Sequence, residues 1–276
     1  MPLAMGRDLL VAAEAGGYAI PGFNVSNIEL ALGVLDAANA HGAPVLLQFN
    51  QSNLDHIGGV AVAGALARAL AAEASVPVGV HLDHGPSVAL VRAAVQAGFT
   101  SLMFDGSTTP FERNLHDTRE AVAVALEAGL AIEAELGHVG GREPGVATSE
   151  SVLTDPAAAR RFVEETRVDS LAVSVGTAHG LAGQVRMDLI EELRVATHHL
   201  PLVLHGGSGV TPGDLTASVR AGIRKVNIST EIHAAFVRGL GEVSGNDPRP
   251  ALRRARSAVA EAAAQRIELL GAARRA

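Results

Sequence analysis

VGVHLDHG, residues 78–85, is a short apolar run that ends on Asp83 and His84 and turns at a glycine. The pattern recurs in LAVSVGTAHG at 171–180, which carries His179, and in PLVLHGGSG at 201–209, where His205 closes the run. An apolar run of this length bounded by turn residues reads as a strand buried on both faces, the habit of parallel sheets. Parallel α/β folds present functional side chains just past the C-terminal ends of their strands, and all three histidines fall there.

Outward from these segments, β-like runs alternate with Ala-rich helical stretches. The strands are expected at 18–23, 45–49, 78–82, 101–104, 131–136, 170–173, 202–204 and 225–228. Eight alternations favour a closed parallel α/β barrel over an open sheet, which usually has fewer strands. Helix starts support the parsing. Ser26 with Glu29 and Thr109 with Glu112 have capping-box spacing, while Thr109-Pro110, Asp155-Pro156 and Thr211-Pro212 put a capping side chain before a first-turn proline. No shift in composition divides the chain, so one domain over 1–276 is expected. Two stretches depart from the alternation. The Gly-rich segment 137–151 is long for a βα loop and reads as a mobile active-site segment, and the tail 246–276 carries Arg249, Arg253 and Arg254 into an extra C-terminal helix.

Composition narrows the function classes. The 276 residues are 48% hydrophobic, enough for one large core. Absence of cysteine excludes disulfides, thiolate metal sites and a cysteine nucleophile. A net charge of -7 with 3% aromatic residues offers neither a basic surface nor a stacking platform for nucleic acid. The opening MPLAMGRDLL has no basic region followed by a long apolar stretch, and no run of transmembrane length occurs, so a soluble cytoplasmic protein without a membrane partner is expected. Its partner should be a small molecule.

A lone histidine in a β-run is usually structural. Three at the ends of strands three, six and seven converge on one barrel mouth, which makes His84, His179 and His205 candidate ligands of one catalytic divalent metal. His81 lies earlier in its strand, His138 in the 137–151 segment, and His198 and His199 in a helix-to-strand turn; these read as structural or solvated.

GFNV near residue 22, HLDHG, MFDGS, EAELGHVGG, GTAHG, LHGGSG, KVNIST and NDPR at 246–249 together resemble, in order, the motifs of the class II metal-dependent ketose-bisphosphate aldolases. That family cleaves fructose or tagatose 1,6-bisphosphate. The resemblance spans nearly the whole chain and implies a TIM barrel, a catalytic Zn2+ on His84, His179 and His205, and a homodimer or homotetramer. Asp83 matches the acid/base that handles the C4 hydroxyl, and Glu143 the loop carboxylate that moves the proton of the three-carbon ketone. Asp105 and Glu135 resemble carboxylates serving an alternate metal position or a second divalent ion, or they orient the histidines by hydrogen bonds. Gly180 and Gly207 resemble backbone contributors to a monovalent cation site, Na+ or K+. Arg249 matches an arginine that reaches a neighbouring subunit's active site for the second phosphate.

The chemistry calls for these groups independently. Breaking a carbon–carbon bond beside a carbonyl leaves an enediolate, which needs either a Lys-derived iminium or a Lewis acid. Lys225 is the only lysine. Expected at the start of strand eight, it would sit away from the mouth, which disfavours a Schiff base. Asp83, next to the metal-bound substrate, is placed to take the C4 hydroxyl proton. Gly206, Gly207, Ser208 and Gly209 follow strand seven, and Asn227, Ser229 and Thr230 follow strand eight, the usual barrel location of a phosphate cradle.

Three departures from the family pattern bear on the substrate. GTAHG is followed by Leu181, Ala182, Gly183 and Gln184 where an aromatic residue and a lysine are common; Pro144 follows Glu143 where an acidic residue is common; and Asn50 stands where serine is frequent. They leave the metal and acid/base set intact and allow another phosphorylated ketose. A metal-dependent hydrolase on the same barrel would want His-x-His at the end of strand one, where this chain reads GFNVSN. A non-catalytic sugar-phosphate sensor would explain the phosphate loops but neither the three histidines nor Asp83.

Overall fold

The computed structural model describes residues 3–141, 151–180, 183–242 and 246–276. Eight strands, β1 (Ile20–Asn24), β2 (Val45–Phe49), β3 (Val78–Leu82), β4 (Ser101–Phe104), β5 (Ala131–Leu136), β6 (Ser170–Val173), β7 (Leu202–Leu204) and β8 (Ile223–Ile228), close into a barrel in sequence order. All neighbours pair in parallel, and β8 returns to β1 with Ile20 opposite Lys225 and Gly22 opposite Asn227. Before β1 comes α1 (Gly6–Gly16), and between the strands run α2 (Ile28–His41), α3 (Gln51–Ile57), α4 (Val60–Glu73), α5 (Val88–Gln96), α6 (Phe111–Glu127), α7 (Pro156–Thr166), α8 (Met187–Ala196) and α9 (Pro212–Ala221). After β8 come α10 (Thr230–Leu240) and α11 (Arg249–Leu269), which pack together with α2. This is the TIM-barrel architecture. No single helix among the described residues is long and apolar enough to cross a membrane.

The strands look uniformly apolar because their outward residues pack on the helices. Leu47, Phe49, Val80, Leu82, Ile132, Leu171 and Leu204 join one continuous core with helix residues such as Val34, Leu115, Phe162 and Ile190. Burying each large side chain of this kind contributes about 1.5–3 kcal/mol. The inward residues, at period two, are different. Met103, Ala172 and Val203 form a small apolar layer of their own, while Gln48, His81, Glu133 and Lys225 are also fully buried. Polar groups therefore line most of the barrel interior, where branched aliphatics are more usual.

Helix starts correct part of the sequence reading. Asp155 and Thr211 cap α7 and α9 as expected, accepting from the Ala158 and Asp214 amides. At α2, however, Asn27 rather than Ser26 accepts from the Leu30 amide. Thr109 caps nothing: α6 begins at Phe111 behind Pro110, and the Thr109 hydroxyl donates back to the Gly106 carbonyl at 2.7 Å. A Thr-Pro pair can serve a preceding turn as well as a helix, and spacing does not separate the two.

At the N-terminal end of the barrel, the Ala4 amide bonds the Val78 carbonyl and the Gly6 amide the Thr100 carbonyl, so α1 lies across the strand starts. Glu14 on α1 accepts from both Arg194 of α8 and Arg224 of β8, and Arg224 is buried. Hydrogen bonding from Arg194 leads the effects that hold the Glu14 carboxyl below its ordinary value. Glu14→Gln is therefore expected to cost roughly 1–2 kcal/mol in urea unfolding, because a buried guanidinium loses its anion. Since the folded-state value is lowered, the deficit should be full above the ordinary glutamate range and shrink as pH falls through the folded value. An unchanged midpoint at neutral pH would show the cluster to be energetically idle.

Candidate active site

Every expected metal ligand in the described chain lies at the C-terminal mouth. His84 follows β3, His205 follows β7 directly, and His179 lies in the loop after β6. Their ligand nitrogens fall within 4.8 Å of one another, and the ring centroids of His84 and His205 are 4.5 Å apart. Two local devices arrange them. Successive residues of an extended chain point to opposite faces, but His84 has φ 47, a left-handed turn that swings its ring to the side on which Asp83 already faces. His179 is fixed from the neighbouring loop, where its amide donates to the Gly140 carbonyl at 2.8 Å. That contact requires glycine at 141, since a Cβ there would lie 2.3 Å from the His179 carbonyl oxygen.

Carboxylates set the tautomers. His84 Nδ1 meets Asp105 Oδ2 at 2.6 Å, leaving Nε2 toward the cluster. His205 uses the other nitrogen: its Nε2 meets Glu133 Oε1 at 3.0 Å, which leaves Nδ1. Glu135 Oε2 stands 3.3 Å from that Nδ1, out of line for a hydrogen bond, and acts as a nearby charge. His84 Nε2 and His205 Nδ1 are buried with no hydrogen-bond partner, an arrangement that is costly unless a cation takes both lone pairs. The residues fit a metal. His84, Asp105 and Glu135 form a second group of comparable size, so the two carboxylates sit where they can support His84 or hold an ion themselves.

Asp83 is 2% exposed, and both its oxygens accept amide hydrogens, from Asn24 Nδ2 at 2.7 Å and from Asn227 Nδ2 at 2.8 Å. Burial alone would raise its pKa. The fields of His84, His205 and Lys225 outweigh burial and hold it below the ordinary aspartate value. Asp83 is thus an ionised base. The cleft above it is lined by Asn24, His179, Gly180, Gly206, Ser208, Asn227, Ser229 and Thr230. The Ser208 hydroxyl accepts from the Ser229 and Glu231 amides, bringing the β7 loop against the N-terminus of α10, a natural seat for an anion. Gly206, at φ 71, passes so close to the loop after β6 that a Cβ would lie 2.7 Å from the Ala178 carbonyl oxygen.

Residues 5–275 match the family model described as Fructose-bisphosphate aldolase class-II. The chain belongs to this family. It is accordingly a class II, metal-dependent aldehyde-lyase. The fructose-bisphosphate aldolase of Staphylococcus aureus is 35% identical over the full length of both chains. The crystal structure of the YdjI aldolase from Escherichia coli K12 superposes with a TM-score of 0.88 at 36% identity, covering 98% of each chain. A fructose-bisphosphate aldolase structure from Campylobacter jejuni, at 24% identity, shares the fold with a TM-score of 0.85 over 99% of this chain and 97% of that one.

Two site residues expected of a class II aldolase are not among those that line this cleft in the described chain. Glu143 lies outside the described residues, with most of the 137–151 segment. Arg249 is exposed at the start of α11 and paired with Asp247 at 2.8 Å, away from its own chain's site. The position expected for Lys225 is also corrected. β8 begins earlier, at Ile223, and Lys225 points into the barrel, where its ammonium meets Glu133 Oε2 at 2.8 Å. His81 is structural, with Nδ1 2.7 Å from the Ser101 hydroxyl, and burial first, then Lys225, push it down to about 3. His138 is buried near the mouth, 3.2 Å from the Ser107 hydroxyl.

The sequence reading of this aldolase assigned no role to Asn24 or Glu133. Asn24 ends β1 at the level of the other site residues, and Glu133 stands two positions before Glu135 on the same face of β5. A polar residue on the inward face of an otherwise apolar strand was the available signal for both.

Proposed function

We propose that this aldolase is zinc-dependent and reversibly cleaves a ketose 1,6-bisphosphate of the fructose or tagatose type to dihydroxyacetone phosphate and an aldehyde such as glyceraldehyde 3-phosphate. The observation that carries the reading is the buried Asp83 carboxyl, gripped by two amides, beside three histidines whose ligand nitrogens converge. The name of the Staphylococcus aureus relative supports the fructose-type substrate.

In this reading His84, His179 and His205 hold the ion, which when bound supplies a Lewis acid for the ketose carbonyl and the adjoining hydroxyl. Asp83 accepts the C4 hydroxyl proton as the C3–C4 bond breaks and returns it in condensation. Asn24 and Asn227 keep the carboxylate aimed and ionised. Glu143 moves the proton of the three-carbon ketone. The backbone of Gly180, Gly206 and Gly207, with Ser208, Ser229, Thr230 and the Asn227 amide, takes the 1-phosphate end. A monovalent cation on the Gly180 and Gly207 backbone, and a second divalent ion on Asp105 and Glu135, belong to the same proposal.

Room for the aldehyde half lies alongside, in a cavity of about 210 Å³ lined by Ser26, Asn50, Ser52, Asn53, His56, Ser229 and His233. Among the described residues no arginine or lysine lines it, and in our reading a cation from another subunit meets the second phosphate. Arg249 is that cation in our reading, which requires at least a dimer. Arg249→Ala should raise KM tenfold or more for a bisphosphate but much less for a ketose 1-phosphate, since a charge-assisted phosphate contact is worth roughly 1.5–3 kcal/mol. Equal effects on both substrates, or a fully active monomer, would remove Arg249 from the site.

The overall reading is tested with purified protein. It should release triose phosphate from fructose or tagatose bisphosphate, stop when treated with a chelator and recover with zinc. A rate indifferent to chelation would defeat the metal assignment.

A further inference from the structure

One charged layer of the barrel interior has no part in the chemistry above. Beneath His205, Glu133 uses Oε1 to accept from Nε2–H at 3.0 Å, while its Oε2 holds the Lys225 ammonium at 2.8 Å. The Glu133 and Lys225 side chains are each 2% exposed. His81 is the other titratable neighbour, with Nε2 3.9 Å from Glu133 Oε2, and Lys225 is the cation in direct contact with the carboxylate. A buried Lys–Glu pair is often no more stabilising than two apolar residues of the same shape, so its place directly under a ligand calls for another explanation.

The tautomers supply it. His84 donates through Nδ1 and presents Nε2, whereas His205 donates through Nε2 and presents Nδ1. His205 presents Nδ1 when an acceptor takes the Nε2 proton on the opposite side of its ring, deep in the barrel. Glu133 is in hydrogen-bond contact there. We infer that Glu133 is a positioning residue that locks the His205 ring with Nδ1 toward the metal point, and that Lys225 holds Glu133 in that orientation. The aldolase's sole lysine thereby acts on the metal site from inside the barrel and not as a Schiff base. This rests on the reading of His84, His179 and His205 as ligands.

The test uses the full-length wild type and the variants Glu133→Met, Lys225→Met and Glu133→Met/Lys225→Met. Each is stripped of metal, titrated with zinc alone against a competing chelator, and melted in the metal-free state. Glu133→Met should weaken zinc binding by about tenfold to a hundredfold, the usual scale for losing the partner of a ligating histidine. Lys225→Met alone should lower the melting temperature, because it strands a buried carboxylate. The double variant separates the roles. With both charges gone it should melt close to the wild type yet keep the zinc defect. Wild-type zinc affinity in the double variant, or zinc losses that merely follow melting temperature, would reduce the pair to scaffolding and overturn the inference. A wild type that binds no zinc would instead defeat the ligand assignment beneath it.

Discussion

Replacing His205 with alanine is expected to abolish metal retention and aldol cleavage together. The side chain is wholly buried, immediately after β7, with Nδ1 lacking a hydrogen-bond partner and Nε2 on Glu133. A site with three protein ligands must keep a position open for substrate, so losing one leaves two nitrogens and no comparable replacement. Lewis-acid stabilisation of an enediolate is worth several kcal/mol, which corresponds to a loss of roughly a thousandfold or more in kcat. Metal content by elemental analysis and single-turnover cleavage should fall in step, with melting under chelated conditions as the control for folding. Stoichiometric zinc with normal turnover would show that the third ligand is another group, and Glu135 is the nearest candidate, 3.3 Å from the same nitrogen.

Asp83→Ala should part chemistry from binding. Its carboxylate is not among the convergent ligand groups, so the metal should stay. Cleavage should slow by at least about a hundredfold, the usual scale for a positioned acid/base. Proton exchange on dihydroxyacetone phosphate should suffer less, because that proton is assigned to Glu143. Equal losses in exchange and cleavage, with metal retained, would refute this division of labour.

Much of the barrel is legible from the chain because a strand packed on both sides is a short apolar run between turn residues. β2 to β7 follow those runs to the residue, whereas the two strands that close the barrel do not. β8 begins at Ile223, two residues before the expected start, and its Arg224 is buried against Glu14 more than 200 residues earlier. Tyr18 and Ala19, apolar enough to read as strand, instead bond the end of α1 and Leu270, so β1 starts at Ile20. Hydrophobicity reports burial and says nothing of whether an amide finds a ladder partner or a distant loop.

The same division runs through the active site. His84, Asp83 and His205 are legible because each directly ends an apolar run, and parallel barrels bring such ends to one mouth. Tertiary structure alone decides which nitrogen His84 and His205 present, since that depends on Asp105, in the turn after β4, and Glu133, in β5. It decides equally that Asn227 grips Asp83 from 144 residues away and that Lys225 turns inward to Glu133. Period-two alternation determines the face a side chain takes, but its partner across the barrel depends on register and stagger, which exist only once the eight strands have closed.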